Sequence, residues 1–198
     1  MRVIGGQFRS RLLTAPRGTD TRPTSDRLRE TLFNVLAPRI AGTVFVDLYA
    51  GSGAVGIEAI SRGAAQAFFA ESDKAALTAL RANLQALGIR AQVESGGVPT
   101  LLKRMLASRQ QADIVFLDPP YEEEEEYQRT LTWLGGEGSA LLTPGGIVIA
   151  EHSRKLSLPD RAGELESYRT LRQGDASLTF YQRPTGADAS SDPGGRQA

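Results

Sequence analysis

The sequence predicts an α/β fold with a mostly parallel, seven-stranded sheet, helices on both faces and a basic N-terminal hairpin or arm. Short apolar runs alternate with amphipathic segments of about 10–15 residues, and this alternation is typical of a parallel sheet. Two further strand-like runs follow one another near the end and indicate a closing pair of strands. The 198 residues suffice for one domain with a sizeable core.

Seven strands are predicted, and the first five are apolar runs that end at turns containing glycine, acidic residues or proline. TVFVDLYAGSGAVG (43–56) is a buried strand that enters a glycine turn, and AQAFFAES (65–72) is a second strand with a carboxylate at its end. The remaining strands are IRAQVES (89–95), ADIVFLD (112–118), GGIVIAEH (145–152), YRTLRQG (168–174) and SLTFYQR (177–183). Ligands of open parallel sheets bind outside the carboxyl ends of the strands, so the turns after the first four strands predict a binding site.

Five helices are predicted between and before these strands. In residues 21–36, Thr24, Ser25 or Asp26 can cap a helix whose apolar residues recur through Leu36. The other helices follow the glycine turn as far as Ser61, cover 73–87, cover about 98–109, and include 127–134. Residues 2–15 contain Gly5 and Gly6 and favour a hairpin or an extended arm.

Composition disfavours several kinds of protein and of site. Hydrophobic residues make up 40% and charged residues 23%, as in soluble globular proteins. The polar start lacks the apolar segment of a signal peptide, and no stretch approaches the roughly 18 apolar residues of a membrane span. With no cysteine and one histidine, His152, a zinc site, a thiolate nucleophile and a Ser-His-Asp triad are disfavoured. The absence of cysteine fits a reducing cytoplasm.

Charge is unevenly distributed along the chain. The first 40 residues contain eight arginines and three acidic residues, a net charge of +5, although the whole chain has a net charge of zero. Guanidinium groups match phosphate and base-edge geometry, so the pattern favours a polyanion contact at the N-terminus. A solvated surface loop is the alternative, and charge alone does not decide between them.

The glycine turn predicts a nucleotide-type cofactor. Glycines at 51, 53 and 56 form a GxGxxG pattern between a strand and a helix, and Glu71 follows about twenty residues later, where it can accept hydrogen bonds from ribose hydroxyls. A structural glycine turn and a nicotinamide site are the alternatives. Asp47 disfavours nicotinamide, because a carboxylate there would repel a pyrophosphate and favour a cationic ligand such as S-adenosylmethionine. Asp73 can instead cap the next helix.

Asp118-Pro119-Pro120-Tyr121 predicts a site that orients an exocyclic base amine. Asp118 can accept one amine hydrogen and the Pro119 carbonyl the other, while Tyr121 stacks on the base. Such positioning can contribute about 7–11 kcal/mol to catalysis. A stiff turn is the alternative for these four residues alone. The glutamates at 122–126 favour a solvated first helical turn.

Several stretches resemble a known family. TVFVDLYAGSGAVG, AFFAES and FLDPPY, in this order, resemble Rossmann-like methyltransferases that use S-adenosylmethionine to methylate amines. RVIGG with RSR near the start, and RPTSDRLRETLFN at 22–34, resemble more specifically the RsmD family of bacterial 16S ribosomal RNA guanine-N2 methyltransferases. The resemblance covers residues 2 to about 183. Ser10 departs from it, since glycine is common between the two basic residues.

The resemblance implies roles for individual residues. Catalysis would use Asp118, Pro119 and Tyr121. Cofactor binding would use Asp47, Tyr49, Gly51, Ser52, Gly53, Glu71, Ser72, Gly97 and Val98, with backbone groups of the last two serving adenine. RNA would be bound by Arg2, Arg9, Arg11, Arg22, Thr24 and Arg29.

The expected organisation is a basic arm at 1–20, a methyltransferase domain at 21–183 and a disordered tail at 184–198. The expected enzyme is a cytoplasmic monomer without a metal. It would act on 16S rRNA in the small ribosomal subunit or in an assembly intermediate. The alternatives are a methyltransferase for another base amine such as adenine N6, a nicotinamide-dependent oxidoreductase and a non-catalytic RNA-binding module.

Overall fold

One eight-stranded sheet organises the computed structural model, which describes residues 1–16, 25–120 and 124–184. The strands are β1 (Val44–Leu48), β2 (Gln66–Ala70), β3 (Gln92–Glu94), β4 (Ala112–Leu117), β5 (Leu142–Ser153), β6 (Arg161–Ala162), β7 (Leu165–Gln173) and β8 (Ala176–Gln182). Their spatial order is β3-β2-β1-β4-β5-β8-β7-β6. Strands β1 to β5 pair in parallel, and the last three join through antiparallel pairs. The α/β prediction is confirmed, and the two-residue β6 is the strand that it lacked.

Helices cover both faces of the sheet. They are α1 (Asp26–Leu36), α2 (Ala54–Ser61), α3 (Lys74–Ala86), α4 (Val98–Ala107) and α5 (Glu124–Leu134). Residues of α1, α2 and α3 share one apolar cluster, and those of α4 and α5 share another. Neighbouring residues of β1 alternate between the clusters, with Phe45 in the first and Val46 in the second. Within the part of the chain that the structure describes, no helix is long and apolar enough to cross a membrane.

Side-chain caps begin two of these helices where the sequence predicts them. Ser25 caps α1, and its hydroxyl accepts a hydrogen bond from the Leu28 N–H at 3.1 Å. Asp73 caps α3, and its carboxylate accepts one from the Ala76 N–H at 2.8 Å. Each cap satisfies an N–H group that has no partner inside its helix. Asp73 is therefore a helix cap, one of the two roles that the sequence allowed.

The N-terminal residues fold into a hairpin that packs on the domain. The Val3 N–H donates to the Arg11 carbonyl at 2.9 Å, and the Leu13 N–H donates to the Met1 carbonyl at 3.0 Å. The side chains of Val3 and Leu13 are buried in the same cluster as α1. Ser10 has a φ of 68°, a left-handed conformation that costs roughly 1 kcal/mol for a residue with a Cβ. This strain explains why glycine suits the turn that Ser10 occupies.

Glu58 of α2 holds the hairpin against the domain. Its carboxylate is buried and accepts hydrogen bonds from the Ile4 N–H at 2.7 Å and the Gly5 N–H at 2.8 Å. It also accepts one from Nε of Arg62 at 2.7 Å. A carboxylate satisfies N–H groups that an isolated hairpin leaves without strand partners.

Arg29 corrects one sequence prediction. It was expected to bind RNA, but its side chain is 0% exposed, so it cannot reach a phosphate. Its Nη2 donates to the Arg2 carbonyl at 2.5 Å and to Asp26 at 2.8 Å, and its Nε lies 3.9 Å from Glu58. Burial lowers the pKa of Arg29, and the charges of Glu58 and Asp26 oppose that shift. Arg29 therefore joins α1 to the hairpin.

We predict that Glu58→Ala lowers the free energy of unfolding by about 3–5 kcal/mol. The substitution removes the buried acceptor of the Ile4 and Gly5 N–H groups, and it leaves the charge of buried Arg29 to the half-exposed carboxylate of Asp26. Urea unfolding measures the change. Glu30→Ala is the matched control, since Glu30 is an exposed glutamate on α1, and it should change stability by less than about 0.5 kcal/mol. Equal effects of the two substitutions would contradict the structural role of Glu58.

Candidate active site

The register of the parallel strands brings the candidate residues to one edge of the sheet. Leu48, the last residue of β1, pairs with Ala70 of β2 on one side and with Leu117 of β4 on the other. The residues that follow these three are Tyr49, Glu71 and Asp118. Side chains separated by up to 69 positions in the sequence therefore meet where ligands of such sheets bind.

The three glycines after β1 differ in what they contact. Gly51 has a φ of 55°, and among the described residues no atom would lie within 4 Å of a Cβ added there. A Cβ on Gly53 would collide with Leu80 Cδ1 of α3, and one on Gly56 would meet Phe69 Cζ of β2 at 2.7 Å. Gly53 and Gly56 thus allow helix α2 to pack closely. Gly51 leaves its backbone accessible to a ligand.

Glu71 is fixed by three backbone N–H groups. One carboxylate oxygen accepts from Gly51 at 2.7 Å, and the other accepts from Ser72 and Asp73, each at 2.8 Å. A carboxylate offers about four acceptor positions, so capacity for a ligand hydroxyl remains. The contact with Gly51 holds this acceptor directly beside the glycine turn.

Asp47 is a buried acid behind the same turn. Its carboxylate is 2% exposed and accepts a hydrogen bond from the Gly56 N–H at 2.8 Å. Burial raises the pKa of Asp47 to about 7, the charges of Glu71 and Glu151 add to the rise, and the Gly56 hydrogen bond opposes it. A cationic ligand beside this carboxylate would favour its ionised form.

The turn before α4 adjoins the end of β2. Gly97 is the N-cap of α4 and has a φ of 79°. A Cβ added to Gly97 would lie 3.9 Å from the Cβ of Ser72, so two predicted cofactor residues are neighbours. Ser72 is exposed, whereas the side chain of Val98 is buried. Any contact of Val98 with a ligand would therefore have to be through its backbone, as the resemblance implies.

Asp118 follows β4 and is partly exposed, and the next residue, Pro119, is buried. The carboxylate thus lies at the sheet edge beside the residues that follow β1. Tyr121, Arg22 and Thr24, which the resemblance includes among the site residues, lie outside the described residues.

Tyr49 contacts α5 through its hydroxyl. It has a φ of 63°, which costs roughly 1–2 kcal/mol for a residue with a side chain. The hydroxyl donates a hydrogen bond to Oε2 of Glu126 at 2.7 Å. Glu126 belongs to the glutamate run that the sequence assigned to a solvated helical turn, yet its side chain is only 17% exposed. The solvated interpretation is therefore wrong for Glu126, whereas Glu124 and Glu125 are exposed.

Asn83 joins the glycine turn to the N-terminal hairpin, and the sequence prediction missed it. Its side-chain amide donates to the carbonyls of Ser52 at 2.9 Å and Thr14 at 3.0 Å, and accepts from the Thr14 N–H at 2.8 Å. A polar residue at a core-facing position of α3 was the available signal. Ser52, a predicted cofactor residue, is thus held from the side of the hairpin.

Three of the predicted RNA-binding arginines, Arg2, Arg9 and Arg11, are exposed on the hairpin. The Arg11 guanidinium lies 3.4 Å from the carbonyl of Ala86, at the end of α3. In residues 1–16, 25–120 and 124–184 there is no group of three or more histidine and acidic side chains that could hold a metal ion.

Comparison with known proteins places this chain in a family. The family model described as conserved hypothetical protein 95 matches residues 1–182. Ribosomal RNA small subunit methyltransferase D of Escherichia coli K12 is 35% identical over 194 residues, which cover 97% of this chain and 94% of that protein. The solved structure of E. coli YhhF has a TM-score of 0.77 and 34% identity, and the match covers 92% of this chain and 97% of that chain.

A more distant structure shares the fold. The T. thermophilus 16S rRNA N2 G1207 methyltransferase RsmC, solved with AdoMet and guanosine, is 24% identical with a TM-score of 0.66. The match covers 85% of this chain and 45% of that chain. Because the family model and the E. coli relative match nearly the whole chain, the protein belongs to the RsmD family of ribosomal RNA small subunit methyltransferases.

Proposed function

We propose that this protein transfers a methyl group from S-adenosylmethionine to the exocyclic N2 amine of a guanine in 16S rRNA. The observation that carries the proposal is the shared edge where Asp118 follows β4 directly beside the glycine turn and Glu71. An acceptor for an amine thereby lies next to a binding site for a nucleoside. Family membership supports ribosomal RNA as the substrate class.

The residues of the glycine turn fit this cofactor. Glu71 retains acceptor capacity for ribose hydroxyls while three backbone donors fix its position. Asp47 provides a negative charge that favours a cation and disfavours the pyrophosphate of a nicotinamide cofactor. Backbone groups of Gly97 and Val98 would contact adenine. When bound, the cofactor supplies an electrophilic methyl group on a sulfonium.

Asp118 and Pro119 would orient the guanine amine. The amine lone pair is delocalised into the purine ring, so the nitrogen is a poor nucleophile until its hydrogens are held. Asp118 accepts one hydrogen and the Pro119 carbonyl accepts the other, which directs the nitrogen toward the methyl donor. The carboxylate is also placed to take the proton that the amine loses on methylation. Stacking of Tyr121 on the base rests on the sequence motif alone.

The N-terminal hairpin would bind the RNA backbone. Arg2, Arg9 and Arg11 are exposed, and the hairpin that carries them is joined to the glycine turn through Asn83. We therefore place the RNA contact beside the cofactor site. The substrate would be the small ribosomal subunit or an assembly intermediate, and the enzyme would act in the cytoplasm as a monomer.

The catalytic assignment predicts that Asp118→Ala binds S-adenosylhomocysteine within about threefold of the wild-type Kd but transfers methyl groups at least 100-fold more slowly. Calorimetry measures the first quantity. Transfer of tritiated methyl to small subunits that lack the modification measures the second. Nucleoside analysis should identify N2-methylguanosine as the wild-type product. Another methylated base would overturn the proposed substrate, and an active Asp118→Ala enzyme would overturn the role of Asp118.

Asp47 predicts opposite pH dependences of cofactor binding and stability. With a pKa of about 7, the ionised fraction of the Asp47 carboxylate should be about tenfold larger at pH 8 than at pH 6. Cationic S-adenosylmethionine should therefore bind about tenfold more tightly at pH 8. The pKa of Asp47 in the folded protein lies above the ordinary value of 3.8. Between about pH 4 and 7, the folded protein therefore holds a proton that the unfolded chain has already lost. Stability of the cofactor-free protein should therefore fall as the pH rises through 7.

Asp47→Asn is the variant that checks both dependences, because its amide does not titrate and can still accept from Gly56. It should bind S-adenosylmethionine weakly at every pH, and its Tm at pH 8 should exceed that of the wild type. Calorimetry and thermal unfolding at pH 6 and pH 8 give the two quantities. A wild-type Kd that stays constant between these pH values would exclude Asp47 as the cation partner.

The hairpin assignment predicts that the double variant R9Q/R11Q binds RNA more weakly and with a flatter salt dependence. Each lost phosphate contact should reduce the slope of log K against log salt by about 1. Filter binding at salt concentrations from about 50 to 300 mM measures the slope. K103Q/R109Q removes two exposed charges from the α4 side of the sheet and should leave the slope unchanged. If R9Q/R11Q shows the same slope as K103Q/R109Q and the wild type, Arg9 and Arg11 belong to an ordinary solvated surface.

A further inference from the structure

We infer that Tyr49 and Glu126 form a positioning pair that sets the first turn of α5, and with it Asp118, relative to the cofactor site. The inference rests on the proposed function, because it names residues that would place the two reactants. Tyr49, to which the resemblance assigns a cofactor contact, lies two residues before Gly51 of the glycine turn, and α5 begins six residues after Asp118. The pair thus connects the segment on the cofactor side with the segment on the amine side.

The geometry of the pair is specific. The Tyr49 hydroxyl lies 2.7 Å from Oε2 of Glu126 and 3.4 Å from Oγ1 of Thr130, one turn further along α5. The other carboxylate oxygen of Glu126 pairs with Arg129. Glu126 is therefore held from two sides, and a shielded hydrogen bond to a charged group is stronger than an exposed one.

A second contact fixes the same turn to a different strand. Tyr127 is 1% exposed, and its hydroxyl donates to the Glu151 carbonyl of β5 at 2.7 Å. Strand β4, which ends just before Asp118, lies between β1 and β5. The first turn of α5 is consequently bonded to the residue after β1 and to β5, the two neighbours of β4. Tyr127 holds the helix to the sheet, whereas Tyr49 holds it to the cofactor turn.

The backbone of Tyr49 supports a positioning role. A left-handed φ of 63° is unfavourable for tyrosine and persists where surrounding contacts fix it. The hydrogen bond to Glu126 is one such contact. Loss of the hydroxyl should let the turn and the helix move apart, and a displacement of about 1 Å can slow an oriented reaction about 100-fold.

The test uses Tyr49→Phe and Glu126→Ala in the full chain. Each should lower kcat for methyl transfer to small subunits on the order of 10–100-fold. The Kd of S-adenosylhomocysteine should stay within about threefold of wild type, because Tyr49→Phe removes only the hydroxyl that meets Glu126 and keeps the ring and backbone for the cofactor contact that the resemblance implies. The double variant should be no slower than either single variant, because both remove the same contact. Glu126→Gln keeps an acceptor oxygen and should restore most of the activity. Glu124→Ala and Glu125→Ala remove exposed charges from the same run and should match the wild type.

Hydrogen exchange tests the same contact without any RNA. Backbone amides of α5 (Glu124–Leu134) should exchange about tenfold faster in Tyr49→Phe and Glu126→Ala than in the wild type or in Glu125→Ala. Unchanged exchange, additive losses in kcat or a weakened Kd with unchanged kcat would each overturn the positioning role. A wild-type enzyme that methylates no small subunit contradicts the proposed function instead, and exchange then still decides whether the pair holds the segment.

Discussion

The parallel pairing of β1 with β2 and β4 is the constraint on which the site depends. The register places Leu48 beside both Ala70 and Leu117, so the chain leaves three neighbouring strands at the same level. A shift of one residue in either pairing would turn every side chain of the shifted strand to the other face of the sheet and place polar groups among apolar ones. Asp47 and Phe45 share a face, and that face carries α2, whose Gly56 N–H the Asp47 carboxylate meets. The packing that holds the strands in register thereby also sets where the acids lie.

Buried polar side chains extend this rigid edge to the hairpin. Residues near the N-terminus have few strand partners, so their backbone groups need other acceptors and donors. Glu58 and Asn83 provide them, and both side chains lie on helices that flank the glycine turn. A surface that could bind RNA is therefore fixed to the turn that could bind the cofactor. The same side chains stabilise the fold and set the distance between the two binding regions.

The sequence predicts local features well because they depend on nearby residues. Ser25 and Asp73 were identifiable as caps because a capping side chain acts within three positions of its own residue. Arg29 was misassigned because the charge of an arginine suggests exposure. Its buried partner, Glu58, lies on another helix and could not be identified from the sequence. Tyr49 and Glu126 are 77 positions apart, and no periodicity connects them. The two residues of β6 are too few to show an alternating pattern.

The two signs of charge lie on different parts of this domain, although the whole chain has no net charge. Asp47, Glu71 and Glu151 make the sheet edge acidic, and the rise in the pKa of Asp47 reflects that crowding as well as burial. An acidic pocket suits a cationic methyl donor but repels phosphates, so the RNA backbone must be held elsewhere. The exposed hairpin arginines are the surface that we propose for that contact. Glu126, shielded by Tyr49 and Arg129, presents little charge to an approaching strand. Under the proposed function, segregation of the two signs of charge would let one small domain hold a cationic cofactor and a polyanion side by side.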